Sequence, residues 1–162
     1  MLEAMAALRQ RGVGPGDVRL VVTGSVTAEA RAIAEALGVS EQLVEQPYVP
    51  YPDIGGAMAA ADLLLCLNNA STMRLPSKLY DYAMSERPIL VMADPAHDEL
   101  VEMTGALAGA SFRDLSDAAG IADVIEAELG RGRRRVVART DTGLDSATAT
   151  ARLVSLLDQV TR

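Results

Sequence analysis

The feature that most constrains this chain is a regular alternation of two hydrophobic periods. "MLEAMAALRQRG" (1–12) carries apolar residues at helical spacing and stops at Gly12, whereas "VRLVVTG" (18–24) is a short β-branched run ending in glycine. "TAEARAIAEALG" (27–38) returns to the helical period, with Thr27 placed to cap it and Gly38 to end it. "QLVEQ" (42–46) reads as a strand and the proline-bearing "YVPYP" (48–52) as loop. "DIGGAMAAA" (53–61) is a short helix opened by Asp53 and weakened by Gly55 and Gly56. The same beat continues through a strand at 62–67, a helix at 77–86 and a strand at 88–92. A helix at 98–105, a weak strand at 106–112 and helices at 115–130 and 144–161 complete it. Strands separated by single helices join as right-handed parallel units. The expectation is therefore a Rossmann-like α/β fold, a doubly wound parallel sheet with helices on both faces.

Composition agrees with a buried sheet. The 162 residues are 49% hydrophobic yet include one Phe (Phe112), four Tyr and no Trp, so the core must be aliphatic. Their length suits a single domain. A net charge of −7 argues against a general nucleic-acid binder, which needs a basic face. The one basic run, Arg131 to Arg135, reads as a solvated helix end, with contact to anionic lipid or a partner as the alternative. Cys66 is the sole cysteine, which removes disulfides and cysteine-based metal sites. "MLEAMAALRQ" is amphipathic rather than a charged head before an apolar core, and no run is long enough to cross a bilayer. These features set the expectation of a cytoplasmic protein, with peripheral association at the inner membrane face allowed.

In parallel sheets ligands sit beyond the carboxyl ends of the strands. One such loop leads into "PSKLYDYAMSERPILVM" (76–92). Pro76 suits a helix start, and the first free amides there attract anions. Lys78 adds a cation in the first turn, an unfavourable place unless an anion is near. Asp81 follows Ser77 and Lys78 at i+4 and i+3, on about the same face, where a carboxylate could accept from a ribose diol. Phosphates at the tip with a diol further in describe a nucleoside diphosphate. The plainer reading makes Ser77 a cap, leaves Lys78 solvated, and pairs Asp81 with Lys78 or Arg87.

The block "PSKLYDYAMSERPILVM", with "AADLLLCLNN" before it and "VRLVVTGS" upstream, resembles the C-terminal domain of GT-B glycosyltransferases of the retaining family 4 (group 1). The resemblance spans roughly residues 1 to 130 and lies in the order and spacing of moderately specific motifs. It implies a nucleotide-sugar-binding domain for a UDP- or GDP-linked donor, with no bound metal. Transfer of a hexosyl unit would go to a glycan or lipid-linked acceptor, as in polysaccharide biosynthesis. The family's ribose-binding glutamate corresponds to Asp81 and its proline to Pro88. Departures fall at Met73, where the family has its first glutamate, and at Glu86, where it has glycine. The resemblance also implies that residues 1–162 are part of a larger protein, lacking the N-terminal acceptor domain and the first central strand and inactive alone. On this reading the strand at 18–23 and that at 62–67 flank an absent neighbour, leaving Val21 and Leu64 exposed.

Other positions carry secondary expectations. Gly24 and Ser25 follow a strand and precede a helix, as a phosphate loop would, though a tight turn explains them equally. Asn68, with Asn69, Ser71 and Thr72, could hold sugar hydroxyls or simply favour a turn. Tyr48 and Tyr51 could stack on a base or cap a sheet edge. His97, a lone histidine that makes no metal or triad site by itself, reads as a loop or cap residue; Asp94, His97, Asp98 and Glu99 form an acidic cluster that could ligate Mg²⁺, though a helix cap explains Asp98 more simply. The competing classes are a non-catalytic nucleotide-binding or regulatory α/β module and the donor-binding subunit of a two-chain transferase. A phosphate receiver is disfavoured, because "VVTGSV" and "CLNNAS" supply no acidic residues after the strands.

Overall fold

The structure, a computed structural model, describes residues 1–68, 75–133 and 135–139. Helices and strands alternate in the order α1 (Leu2–Gln10), β1 (Leu20–Thr23), α2 (Ala28–Ala36), β2 (Leu43–Gln46), α3 (Ile54–Ala60), β3 (Leu64–Leu67), α4 (Ser77–Ala83), β4 (Ile89–Ala93), α5 (Asp98–Ala106), β5 (Ala110–Asp114) and α6 (Ala118–Gly130). Thr27 caps α2 as its position implies, its hydroxyl accepting from the Ala30 amide at 3.2 Å. Gly38 ends that segment at φ +70, a conformation glycine adopts without a steric penalty.

All five residues of β4 are buried, and their side chains alternate between two cores. Leu90 and Met92 join Ala4, Met5 and Leu8 of α1 and Ile121, Ala122 and Ile125 of α6. Ile89, Val91 and Ala93 join Leu79 and Ala83 of α4 and Leu100 of α5. Burial on both faces is what a continuous aliphatic run requires, each large side chain contributing about 1.5–3 kcal/mol.

The strands form two parallel sheets rather than one: β1–β2, and β3–β4–β5. Leu20 pairs with Leu43, Leu64 with Ile89, and Ile89 in turn with Ala110. No ladder joins β1 to β3. Side chains nevertheless connect the sheets, since Leu20, Leu43 and Leu65 all pack on the core shared by α1 and α6.

Several boundaries differ from the sequence reading. The helix expected to reach residue 86 stops at Ala83, with Met84 as its cap. There the Ser85 hydroxyl turns back to the Tyr82 carbonyl at 2.7 Å, and Arg87 forks onto the Ala59 carbonyl at 3.1 and 2.6 Å. The strand expected at 106–112 begins at Ala110, because α5 continues through Ala106 and Gly109 then turns at φ +68. Tyr51–Asp53 winds into a single 3₁₀ turn across the end of the expected loop, and Asp53 precedes α3 at the cap position without a side-chain cap bond. Of the two residues expected to be exposed, Val21 is 47% exposed, but Leu64 is buried against the second core. Leu67 is instead the exposed residue of β3, at 53%.

The segment 135–139 straps the amino ends of β4 and β5. Val137 donates to the Glu86 carbonyl at 2.9 Å, and Arg139 donates to the carbonyls of Ala108, Arg87 and Ser85. The basic run is therefore more than a solvated helix end: Arg131 and Arg135 both pair with Glu128. The expected helix 144–161 lies outside the described residues.

Candidate functional site

α4 owes its orientation to its own spacing. Leu79 and Ala83, one turn apart, are buried in the second core. Tyr82 packs partly on the same core, while Ser77 and Lys78 are exposed and Asp81 is half-buried. Pro76 precedes the helix, its carbonyl accepting from the Leu79 amide at 2.9 Å. Ser77 is the first helical residue rather than the cap, and no side chain caps this helix.

Asp81 is paired with neither Lys78 nor Arg87 among the described ion pairs; Arg87 is committed to Ala59. Its Oδ1 instead accepts from the Tyr51 hydroxyl at 3.3 Å. That is long for a hydroxyl–carboxylate bond, which prefers about 2.5–2.7 Å. The contact brings the 3₁₀ turn after β2 against α4.

Lys78 and Tyr82 both interact electrostatically with the buried thiol of β3. Burial pushes the Cys66 thiol up to about 11, and the Lys78 charge works in the opposite direction. Tyr82 is also raised, chiefly by burial and then by Cys66 and Asp81. Asn68 follows β3 directly, is buried, and donates its amide to the Met92 carbonyl at 2.9 Å. Lys78, Asp81 and Tyr82 thus lie on the helix that follows β3, and Tyr51 reaches that helix through Asp81. Asn69, Ser71, Thr72 and Met73 lie outside the described residues.

Gly24 and Ser25 belong to a different setting. Gly24 sits at φ +120 and donates its amide to the Gln46 carbonyl at 2.9 Å, while Ser25 is exposed. The next amide, that of Val26, donates to Glu45 Oε2 at 3.2 Å, and Arg31 of α2 pairs with the same carboxylate. An internal anion therefore already occupies part of this turn. Sequence reading missed Glu45; its signal was an acidic residue near the end of β2 opposite an arginine on α2. No described hydrogen bond or ion pair links Gly24 or Ser25 to Ser77, Lys78 or Asp81.

The remaining candidates have structural explanations. His97, not Asp98, is the residue at the cap position of α5, and Asp98 begins the helix. Asp94 accepts from the Ala96 amide at 2.8 Å. Among the described residues, no group of three or more His, Cys, Asp or Glu could hold a metal ion. Tyr48 is exposed rather than folded over a sheet edge. No described helix is long and apolar enough to cross a membrane.

Comparison with protein families, with curated proteins and with solved structures finds no match.

Proposed function

We propose that the carboxyl end of β3 binds the nucleoside diphosphate of a nucleotide sugar, as the donor-binding domain of a retaining GT-B glycosyltransferase of the family-4 type. The observation that carries the reading is the outward face of α4, which presents Lys78 and Asp81 together at the carboxyl end of a parallel strand. Lys78 supplies a cation for the diphosphate, with the Ser77 hydroxyl beside it. Asp81 supplies a carboxylate for a ribose diol, and its long bond to Tyr51 is one that a diol can replace. Asn68 closes the strand end beneath the sugar.

The doubly wound arrangement of such domains is consistent with helices on both faces of β3–β4–β5. The resemblance of the "PSKLYDYAMSERPILVM" block supports the choice of donor class. In this reading the hexosyl unit passes to a glycan or lipid-linked acceptor held by a separate domain. The Gly24–Ser25 turn has a secondary part, because Glu45 takes one of its amides.

Calorimetric titration of the intact polypeptide with UDP and with GDP tests the assignment. Binding of one of them, weakened at least about tenfold in Lys78→Ala, is the expected result. Binding of neither nucleotide, or a Lys78→Ala variant that binds as wild type does, would overturn it.

A further inference from the structure

Several arginines of this protein are spent within it. Arg11 pairs with Asp123 and Glu126, Arg31 pairs with Glu45, and Arg87 and Arg139 donate to backbone carbonyls. Arg19 and Arg133 are different. Arg19 donates through Nε to the Pro15 carbonyl at 3.4 Å, and Arg133 through Nη2 to the Gly16 carbonyl at 3.5 Å. Residues far apart in the chain thus bring two guanidiniums onto adjoining carbonyls of one turn. Both side chains are exposed, and neither belongs to a described ion pair. Asp17, in the same turn, has its Oδ2 engaged by the Gly14 amide at 2.9 Å. Two cations with free donors therefore stand on the surface of a protein whose net charge is −7.

The fold sets further groups at the same end. The turn leads into β1, and the segment after α6 crosses the amino ends of β4 and β5. Arg131, also exposed, shares Glu128 with Arg135. The Glu128 side chain is only 11% exposed, so its charge lies behind that of Arg131. Val136 is 61% exposed because both neighbours are held inward, Arg135 by Glu128 and Val137 by burial and its bond to the Glu86 carbonyl. Glu41 and Asp62 stand ahead of β2 and β3, and the exposed Glu86 ahead of β4. These carboxylates confine the cationic surface to the side of α6 and the strap. It lies where the strands begin, whereas Asn68 and the Gly24–Ser25 turn lie where they finish.

We infer that this end of the protein docks on an anionic lipid surface through Arg19, Arg131 and Arg133, with Val136 as the apolar contact. The inference does not rest on what the α4 site binds. The basic run alone does not give this surface, since Arg135 is turned to Glu128 and Arg19 comes from another part of the chain. Each guanidinium keeps donors free for a phosphodiester, and such bonds are the stronger for being charge-assisted. The three cations stand on a turn, a helix end and a strap, which suits a plane of headgroups better than one small anion. An outward aliphatic side chain amid cations fits the boundary between headgroups and acyl chains. The net charge does not oppose this approach at physiological salt, where charges beyond about 8 Å are screened. It disfavours every other orientation.

Cosedimentation of the full polypeptide with vesicles of phosphatidylcholine alone, or with about one third phosphatidylglycerol added, tests the surface. Binding to the anionic vesicles only is expected, and it should fall as salt is raised. Arg19→Gln with Arg133→Gln should weaken it about tenfold. Arg31→Gln with Lys78→Gln removes the same charge elsewhere and should leave binding unchanged. A second readout gives the orientation. Cys66 is buried and escapes labelling, so an environment-sensitive dye can be placed on Val136→Cys or Tyr48→Cys. Emission from position 136 should shift to the blue on anionic vesicles, and emission from position 48 should not. Where a double variant melts early, this shift carries the test.

Equal binding to the two kinds of vesicle would overturn the inference, as would equal loss in the two double variants or no binding at low salt. A blue shift at position 48 in place of position 136 would do the same. Binding to poly-glutamate with the same arginine dependence, and none to vesicles, would assign the surface to an acidic protein and reject the lipid.

Discussion

Tyr51 and Asp81, thirty positions apart, meet through one 3.3 Å hydrogen bond from the phenol to the carboxylate. The contact sets the turn after β2 against the helix after β3, which also carries Lys78. A diol at Asp81 competes with Tyr51 for the same oxygen. Asp81→Asn should weaken nucleotide binding by about 1–3 kcal/mol and narrow the preference for ribose over 2′-deoxyribose. Tyr51→Phe should leave affinity unchanged or raise it. Calorimetry with paired ribo- and deoxyribonucleotides measures both; equal affinity of wild type for the two sugars would remove Asp81 from the role.

Cys66 provides a second check on where the Lys78 charge sits. Burial holds its thiol up at about 11 against an ordinary 9.0, and Lys78 opposes that rise. Lys78→Ala should move thiolate formation to still higher pH, read from thiolate ultraviolet absorbance. The folded state keeps the proton more tightly than the unfolded state does. The stability associated with this group is therefore complete below pH 9.0 and is lost as pH rises through about 11.

Gly109 faces two separate restrictions. Its φ is +68, and a methyl group placed on it would lie 2.7 Å from Val137 Cγ1. Gly109→Ala should lower stability by about 1–3 kcal/mol in denaturant melts. Adding Val137→Ala should recover the steric part and leave the backbone part. Complete recovery would show that the left-handed conformation costs nothing here.

Arg139 ties three carbonyls, those of Ser85, Arg87 and Ala108. Burial lowers its pKa, with the Arg135 charge adding to the effect. Arg139→Met keeps much of the stem and removes the donors. A loss of about 2 kcal/mol is expected, with little change in the denaturant slope. Thermal melts of the variant check it, and an unchanged midpoint would mean that water replaces the guanidinium without loss.

The alternation of elements was legible because each apolar run serves one local period and one face. Leu79 and Ala83 already state, one turn apart, which side of α4 is buried, so the outward placement of Ser77, Lys78 and Asp81 followed from spacing. What could not be read depended on partners distant along the chain. Arg87 finds the carbonyl of Ala59 and helps end the Pro-Ser-Lys segment early, while Glu45 occupies a turn nineteen residues before it. The partner of Asp81 was likewise hidden, since Tyr51 reaches it only after the chain has crossed α3 and β3. Nor does any period separate the sheets: β1 is as β-branched as an internal strand, and only pairing reveals its open side.

Across the middle of this protein, cohesion passes through aliphatic contact and not through any described β1–β3 ladder. Such contact carries no direction and gives no fixed register, so it resists separation better than sliding. The region of β1, α2 and β2 can thus lose its order in a step of its own, ahead of β3–β4–β5. Heating should produce two calorimetric transitions, or one whose van't Hoff enthalpy falls short of the measured heat. A smaller side chain at Leu20 should move the first transition and spare the second. If both move together, side chains alone suffice to make the halves melt as one.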